Sequence, residues 1–264
     1  MERMWVDARA QAFCHAQGLN TQAALFRLMG EPRAGDEPVR VVQRALPSPG
    51  GGQWAVFCKH YSYPSASWRF WGRASKARRE FENYALFESL GIRCARRLIC
   101  LESRDALGRL TGAFLLTEAV PDTLTLEEFA GRPAKDLPAA ARRRTRLVLC
   151  RQLAGMTRVL HQAGGFHNDL YWRNVLVQGA ASQTPTLWWI DCPRGGLVRQ
   201  PYLRPRKQLK DLAALDLESA GLCRRTERLR FLKAYVGVER LDDRVRKLAR
   251  RIHTYRRRRW PATH

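Results

Sequence analysis

Two short stretches constrain this chain more than anything else in it: GFHNDLYWRNVLV, residues 165–177, and LWWIDCPRGG, residues 187–196. The first places His167, then Asp169, then Asn174 directly before the apolar run Val175, Leu176 and Val177. In the second, an apolar run ending at Ile190 delivers Asp191. Short apolar runs bounded by polar residues read as buried strands, so two strands form here with carboxylates and an amide left at their ends. Each of these polar residues alone is an ordinary turn residue. Their joint order, each beside an apolar strand, is what carries information, because the short loop from Asp169 to Asn174 can turn both side chains toward one point.

The rest of the chain changes its periodicity once. An N-terminal helix is expected up to about His15, followed by strand-like pieces in AALFRLM (23–29) and VRVVQRAL (39–46) and a Pro/Gly turn at 47–52. In WAVFCKHY (54–61), Trp54, Val56 and Cys58 alternate with Ala55, Phe57 and Lys59, as a half-buried strand requires. A helix is expected from about Ser75 to Leu90, with Ala77, Glu80, Tyr84 and Phe87 on one face and Gly91 as its stop. Strands RRLICLES (96–103) and GAFLLTEA (112–119) follow. From Leu126 the spacing is mainly helical, with a long segment at about 137–163 and another at about 210–255, in which Asp211 is expected to open a helix. Strands early and helices late mean an α+β chain in two lobes, divided near Val120–Thr125.

Charge narrows the partners. Against 24 acidic residues stand 47 Lys and Arg in 264 residues, a formal charge of +23. Such a field draws polyanions: nucleic acid, an anionic membrane surface or an acidic glycan. No nucleic-acid-binding signature accompanies it. The arginines concentrate at 142–146, at 204–210 and in the C-terminal segment through Arg259, where Trp260 reads as an interfacial anchor or part of an unstructured tail. The seven scattered cysteines form no CxxC pair, which fits a reducing cytoplasm better than a disulfide framework or zinc ribbon. No apolar run approaches the roughly 20 residues that span a bilayer, and the first residues lack a signal-peptide core. A membrane is expected to be reached only from its surface.

Phosphoryl transfer needs this set of polar residues. Its transition state spreads negative charge over the phosphoryl oxygens, so a magnesium ion must be held there by oxygen ligands while a carboxylate accepts the proton of the attacking hydroxyl. Asp169 suits the second task, and Asn174 with Asp191 the first. The pattern resembles the protein-kinase-like superfamily: His167, Asn168 and Asp169 stand where that superfamily has HRD or HGD, Asn174 matches its metal-binding Asn, and Asp191 matches the Asp of DFG. The resemblance implies a two-lobed protein-kinase-like fold, with a small, mainly antiparallel β N-lobe (1–120) carrying one key helix and binding nucleotide. A mainly helical C-lobe (121–264) would hold the catalytic loop, the metal site and the basic C-terminus.

It also implies Lys59 on the α and β phosphates with Glu80 as its ion-pair partner, and adenine contacts from the backbone of Glu118 to Val120 with Thr117 behind. Asp211 is then either a helix-start charge or the residue that braces the catalytic loop. The chain departs from protein kinases in reading CPRGG after Asp191, in having no APE motif and in lacking GxGxxG. Over most of its length it is similar to the bacterial lipopolysaccharide kinase family (Kdo/WaaP/InaA-like), in VFCKHY, ARREFENYALFESLGI, LLTEAV with LTLEEF, HNDLYWRNVL, IDCPRG and KDLAAL.

That likeness implies an ATP- and Mg2+-dependent enzyme phosphorylating a heptose or Kdo hydroxyl of the lipopolysaccharide core glycolipid at the cytoplasmic face of the inner membrane. Two other readings compete. A small-molecule phosphotransferase of the aminoglycoside or choline kinase type shares the motif but needs an acidic acceptor site, against which the charge argues. A catalytically weak kinase-fold basic binding module has no use for metal ligands.

Overall fold

The computed structural model describes residues 1–30, 39–47, 52–64, 68–131, 139–180, 182 and 184–261. The chain divides into two compact units, one of residues 1–86 with 95–121, the other of 87–94 with 122–264.

The first unit is built on a five-stranded sheet ordered β1-β4-β5-β3-β2, from strands β1 (Glu2–Val6), β2 (Val39–Pro47), β3 (Gln53–Ser62), β4 (Arg97–Arg104) and β5 (Leu110–Glu118). Every pairing is antiparallel. Strand β3 shows why the alternation in its sequence matters: Val56 and Cys58 enter one apolar cluster with Phe13, Leu25, Leu98 and Phe114, while Lys59 and Tyr61 reach Glu80 of helix α3 (Lys76–Ser89). One strand thus serves two layers, as side chains alternating across a pleat must. In the interior strand β4, paired on both edges, Leu98, Ile99, Cys100 and Leu101 are all buried, which is why it reads as a continuous apolar run.

Two expectations fail here. The chain begins with strand β1, not a helix; Met4 pairs with Leu101 of β4, and only then do a 3-10 turn (Ala8–Ala10) and helix α1 (Gln11–Ala16) follow. The partner that makes β1 a strand lies about a hundred residues away, beyond the reach of local periodicity. AALFRLM is helix α2 (Gln22–Met29), not a strand. Its punctuation is helical: the Thr21 hydroxyl accepts the Ala24 N–H at 3.2 Å, and Gly30 at φ 68° ends it. Ala24, Leu25 and Met29 bury one helical face. The turn at 48–51 lies outside the described residues.

In the second unit, the three-stranded sheet β6-β8-β9 joins β6 (Thr123–Thr125), β8 (Val175–Gln178) and β9 (Thr186–Trp189). The short pair β7 (Gly165–Phe166) and β10 (Gly196–Leu197) runs antiparallel. Helices α4 (Leu126–Gly131), α5 (Ala139–Gln162), α6 (Arg204–Leu222), α7 (Arg225–Val236) and α8 (Asp243–Arg259) supply the bulk. Ala154, Leu212, Ala213, Tyr235 and Ile252 form the core of this bundle, and Trp260 packs against it. The Trp260 ring also lies 6.2 Å from that of Tyr171, so this residue is part of the fold and not a tail. The expected start of the long helix near 137 falls outside the described residues. Asp211 sits well inside α6, which begins at Arg204, and a charge there has no special interaction with the helix N-terminus.

Candidate active site

In the first unit the centre of interest is Glu80, fully buried on α3. Its carboxylate accepts from Lys59 Nζ at 2.8 Å, from the Tyr84 hydroxyl at 2.8 Å and from the Tyr61 hydroxyl at 3.0 Å. A buried carboxylate is tolerable only when its lone pairs are met by a counter-charge and donors, and this one has both. Lys59 retains 14% of its side-chain exposure. Glu82, on the same helix, is by contrast exposed and pairs with Arg78 at 2.8 Å. Tyr84 shares the helical face of Glu80 as its spacing implies; Tyr61, two residues beyond Lys59 in the strand and so on the same side of the sheet, is a donor that the sequence reading did not single out.

At the end of β5, the Glu118 N–H donates to the Arg96 carbonyl at 2.8 Å and the Ala119 N–H to the Ala55 carbonyl at 2.9 Å. The Glu118 carboxylate accepts the Trp54 indole N–H at 2.7 Å. The N–H of Glu118 is therefore spent within the fold. Thr117 is buried.

In the second unit, β8 and β9 form a hairpin in which Val175 faces Trp189. Asn174 and Ile190 continue that register, the Ile190 N–H donating to the Asn174 carbonyl at 3.0 Å, so Asp191 follows directly beside the end of the 167–174 segment. Asn174 Nδ2 donates to the Asp169 carbonyl at 2.8 Å. Its amide oxygen is then the atom it has to offer. Asp191 adopts a left-handed φ of 57° and Asn168 one of 62°. Such a conformation costs a non-glycine residue free energy that surrounding contacts must offset.

For Asn168 those contacts come from Asp211. Fully buried, it accepts the His167 N–H at 2.8 Å and the Asn168 N–H at 2.7 Å. The Asn168 side chain in turn donates to the Arg194 carbonyl at 2.9 Å. Of the two readings of Asp211, bracing of the loop backbone is the one its hydrogen bonds describe. Its carboxylate is also met by His161 Nε2 at 3.3 Å, while His161 Nδ1 lies 2.8 Å from the Tyr235 hydroxyl, which accepts from Gln208 at 2.6 Å. The Tyr235 hydroxyl and the Asp211 carboxylate thus flank the two ring nitrogens of His161 and fix the orientation of its ring. No short motif signals this network, because its members come from three helices.

His167 Nε2 donates to the Ile190 carbonyl at 3.2 Å, and its Nδ1 has no partner among the described residues. Burial pushes the imidazole pKa below its ordinary value, against the opposing pull of Asp211, Asp169 and Asp191. All three carboxylates thus lie within electrostatic reach of one buried ring. The structure brings Asp169 and Asp191 within reach of His167, bonds Asn174 to the Asp169 carbonyl, and separately joins Lys59 to Glu80. Among the described residues no group of three or more His, Cys, Asp or Glu could hold a metal. Asn174 and Asp191 offer two hard oxygen ligands, a set suited to magnesium, which completes its shell with phosphate oxygens and water.

One solved structure covering 97% of this chain and 97% of its own is "WaaP in complex with acyl carrier protein", with a TM-score of 0.70 and 22% identity. The likeness establishes a kinase-like fold. No curated protein matches the chain in sequence. A family model described as Lipopolysaccharide kinase (Kdo/WaaP) family matches residues 51–235. This span includes Lys59, Glu80, the 167–174 segment, Asp191 and Asp211, and it supports a phosphotransferase acting in lipopolysaccharide biosynthesis. On that match, covering well over half of its length, the chain belongs to the lipopolysaccharide kinase (Kdo/WaaP) family.

Proposed function

We propose that the protein transfers the γ-phosphoryl group of Mg-ATP to a sugar hydroxyl, heptose or Kdo, of the lipopolysaccharide core. The observation that carries this reading is the loop braced by Asp211, with Asp169 and Asp191 within reach of the buried, neutral His167 and Asn174 bonded to the Asp169 carbonyl. In this reading residues 1–120 bind nucleotide and 121–264 carry the catalytic loop and metal ligands. Asp169 orients the acceptor hydroxyl and takes its proton. Asn174 and Asp191 hold magnesium, which neutralises charge on the phosphates when bound. Lys59, kept extended by Glu80, contacts the α and β phosphates. Adenine is met at Val120 and at Glu118, where the contact cannot come from the N–H already given to Arg96.

The acceptor is a glycolipid, so the enzyme works at an anionic membrane surface, the cytoplasmic face of the inner membrane. No helix among the described residues is long and apolar enough to cross a bilayer. In the first unit Trp68, Trp71 and Leu107 are exposed, at 78%, 46% and 72%. Trp71 bridges to Arg109 beside the Leu107 turn, and the Arg104 guanidinium ties the Arg73 and Gly108 carbonyls together at 2.8 and 2.9 Å. Exposed tryptophans set among arginines suit the headgroup region of an anionic bilayer.

A second partner is proposed on a separate observation. A cavity of about 360 Å³ in the helical unit is lined by Leu126, Leu149, Leu153, Leu215, Phe231 and Ile252. It suits an acyl chain, such as one delivered by an acyl carrier protein, the partner named with the neighbouring WaaP structure.

The test of the main reading is ADP release on addition of purified lipopolysaccharide core, with and without Mg2+, for the wild type, Asp169→Ala and Asp191→Ala. Core-dependent, Mg-dependent turnover abolished by both substitutions supports the assignment. Turnover that survives either substitution refutes it. Stimulation by small cationic alcohols but not by core would favour a small-molecule kinase instead.

A further inference from the structure

The arginines that hold this fold together are paired: Arg228 and Arg256 with Asp216, Arg146 with Glu227. Three basic side chains beside Asp169 are not. Lys210 immediately precedes Asp211, whose carboxylate grips the backbone of His167 and Asn168, so α6 delivers Lys210 to the catalytic loop. Arg194 is fixed from the other side by the 2.9 Å bond from Asn168 Nδ2 to its carbonyl. Lys210 lies within electrostatic reach of the Asp169 and Asp211 carboxylates and of the Lys207 and Arg194 cations. None of the three makes an ion pair with a described carboxylate. Lys210 is half-buried, and burial with two like charges nearby moves its pKa down despite the two carboxylates. Burial and the repulsion of the Lys207 and Arg194 cations together outweigh the pull of Asp169 and Asp211, neither of which is ion-paired to Lys210, and an external oxyanion arriving among the three cations relieves that repulsion.

We propose that Lys210, with Lys207 and Arg194, forms an anion subsite beside Asp169 that takes a phosphate or carboxylate carried by the acceptor glycan. The assignment rests on the reading of Asp169 as the residue facing the acceptor hydroxyl. The nucleotide phosphates have their own counter-charges in that reading, the magnesium at Asn174 and Asp191 and the Lys59 ammonium. From Arg194 the chain continues through β10 into a segment that exposes Leu197, Arg199 and Tyr202, a mixture of apolar and basic groups matching an acceptor that is both glycan and lipid.

The experiment measures equilibrium binding and steady-state ADP release with lipopolysaccharide core oligosaccharide, with the same material after dephosphorylation, and after reduction of its carboxylates. It compares the wild type, Lys210→Met, Lys210→Arg and the double variant Lys207→Met/Arg194→Gln. For Lys210→Met, Kd and KM for native oligosaccharide should rise about tenfold, the scale of one lost charge-assisted contact. KM for ATP should stay unchanged, and Lys210→Arg should recover most of the loss. The stripped oligosaccharide that abolishes the difference between wild type and Lys210→Met identifies the oxyanion as phosphate or carboxylate. Should Lys210→Met fail to fold, the double variant, with Arg194 exposed and Lys207 only partly buried, carries the same test.

Unchanged binding of native oligosaccharide, equal losses for charged and stripped acceptors, or a rise confined to KM for ATP would each overturn the subsite. The control is Asp169→Ala: if it still turns over, the kinase reading fails, while the binding comparison continues to report on the subsite alone.

Discussion

Asp211 Oδ1 accepts the Asn168 N–H at 2.7 Å while Asn168 is held at a φ of 62°. One buried carboxylate on α6 therefore fixes a strained residue in the middle of the HxD segment, and with it the positions of His167 and Asp169 on either side. Replacing Asp211 by Ala leaves two buried N–H groups unpaired, which costs roughly 1–3 kcal/mol for each. The expected outcome is a fall in the urea midpoint and loss of core-dependent ADP release. Asp211→Asn should be only partly better, since its amide presents a donor to one of the two N–H groups. Full activity in either variant would remove the brace from the account.

The Lys59 and Glu80 pair makes a second prediction. Lys59→Met takes the ammonium counter-charge from the buried Glu80 carboxylate while the Tyr61 and Tyr84 hydroxyls still donate to it, and stability should drop by about 3 kcal/mol, the lower part of the range for breaking a buried pair. Tyr61→Phe removes one hydroxyl donor to a buried carboxylate and should cost about 1.5–3 kcal/mol. In a double-mutant cycle by chemical denaturation the two losses should be non-additive, because they share one carboxylate. Simple additivity would mean the three donors act independently.

His167 predicts a pH dependence. Its pKa in the folded protein is depressed by burial, so below the unfolded value of about 6.5 the unfolded chain binds the extra proton first. The contribution of this histidine to stability is present above that pH and declines as pH falls below it, by up to about 1.4 kcal/mol per pH unit until the folded pKa is reached. His60, also depressed by burial, acts in the same direction. Unfolding free energies measured at pH 7.5 and 5.5 should differ more for the wild type than for His167→Gln. An equal difference in both proteins would show that His167 does not report the buried neutral state.

Trp68 and Trp71 separate membrane docking from folding. The double variant Trp68→Ser/Trp71→Ser should lose about tenfold in binding to vesicles containing phosphatidylglycerol with little change in Tm, because both rings are exposed. Trp260→Ala should do the opposite, lowering Tm while leaving vesicle binding intact, since that ring packs on the helical cluster. Vesicle flotation and thermal unfolding of the same preparations decide it.

That Asp169, Asn174 and Asp191 come close together was legible because the short loop from Asp169 leads into one apolar strand and Asp191 follows another, and the two strands pair. Glu80 was legible for a similar reason, sharing a helical face with Ala77, Tyr84 and Phe87, all of which are buried. Helix α2 was misread although its boundaries were written in Thr21 and Gly30; a seven-residue apolar stretch fits either period, and only the capping residues separate them. Strand β1 could not have been read locally at all, because its identity comes from β4.

The sequence by itself determined most of the local elements, β1 and α2 excepted, the order of the chemical groups along them and the family, since periodicity, capping and residue type act over a few positions. Only the tertiary structure decided that Asp211 holds the loop, that the Glu80 carboxylate has two tyrosine donors as well as a lysine, and that Trp260 belongs to a core. Each of these depends on desolvating a polar or aromatic group against partners distant in the chain. The free energy of such contacts is set by burial and distance in space, which one-dimensional spacing does not encode.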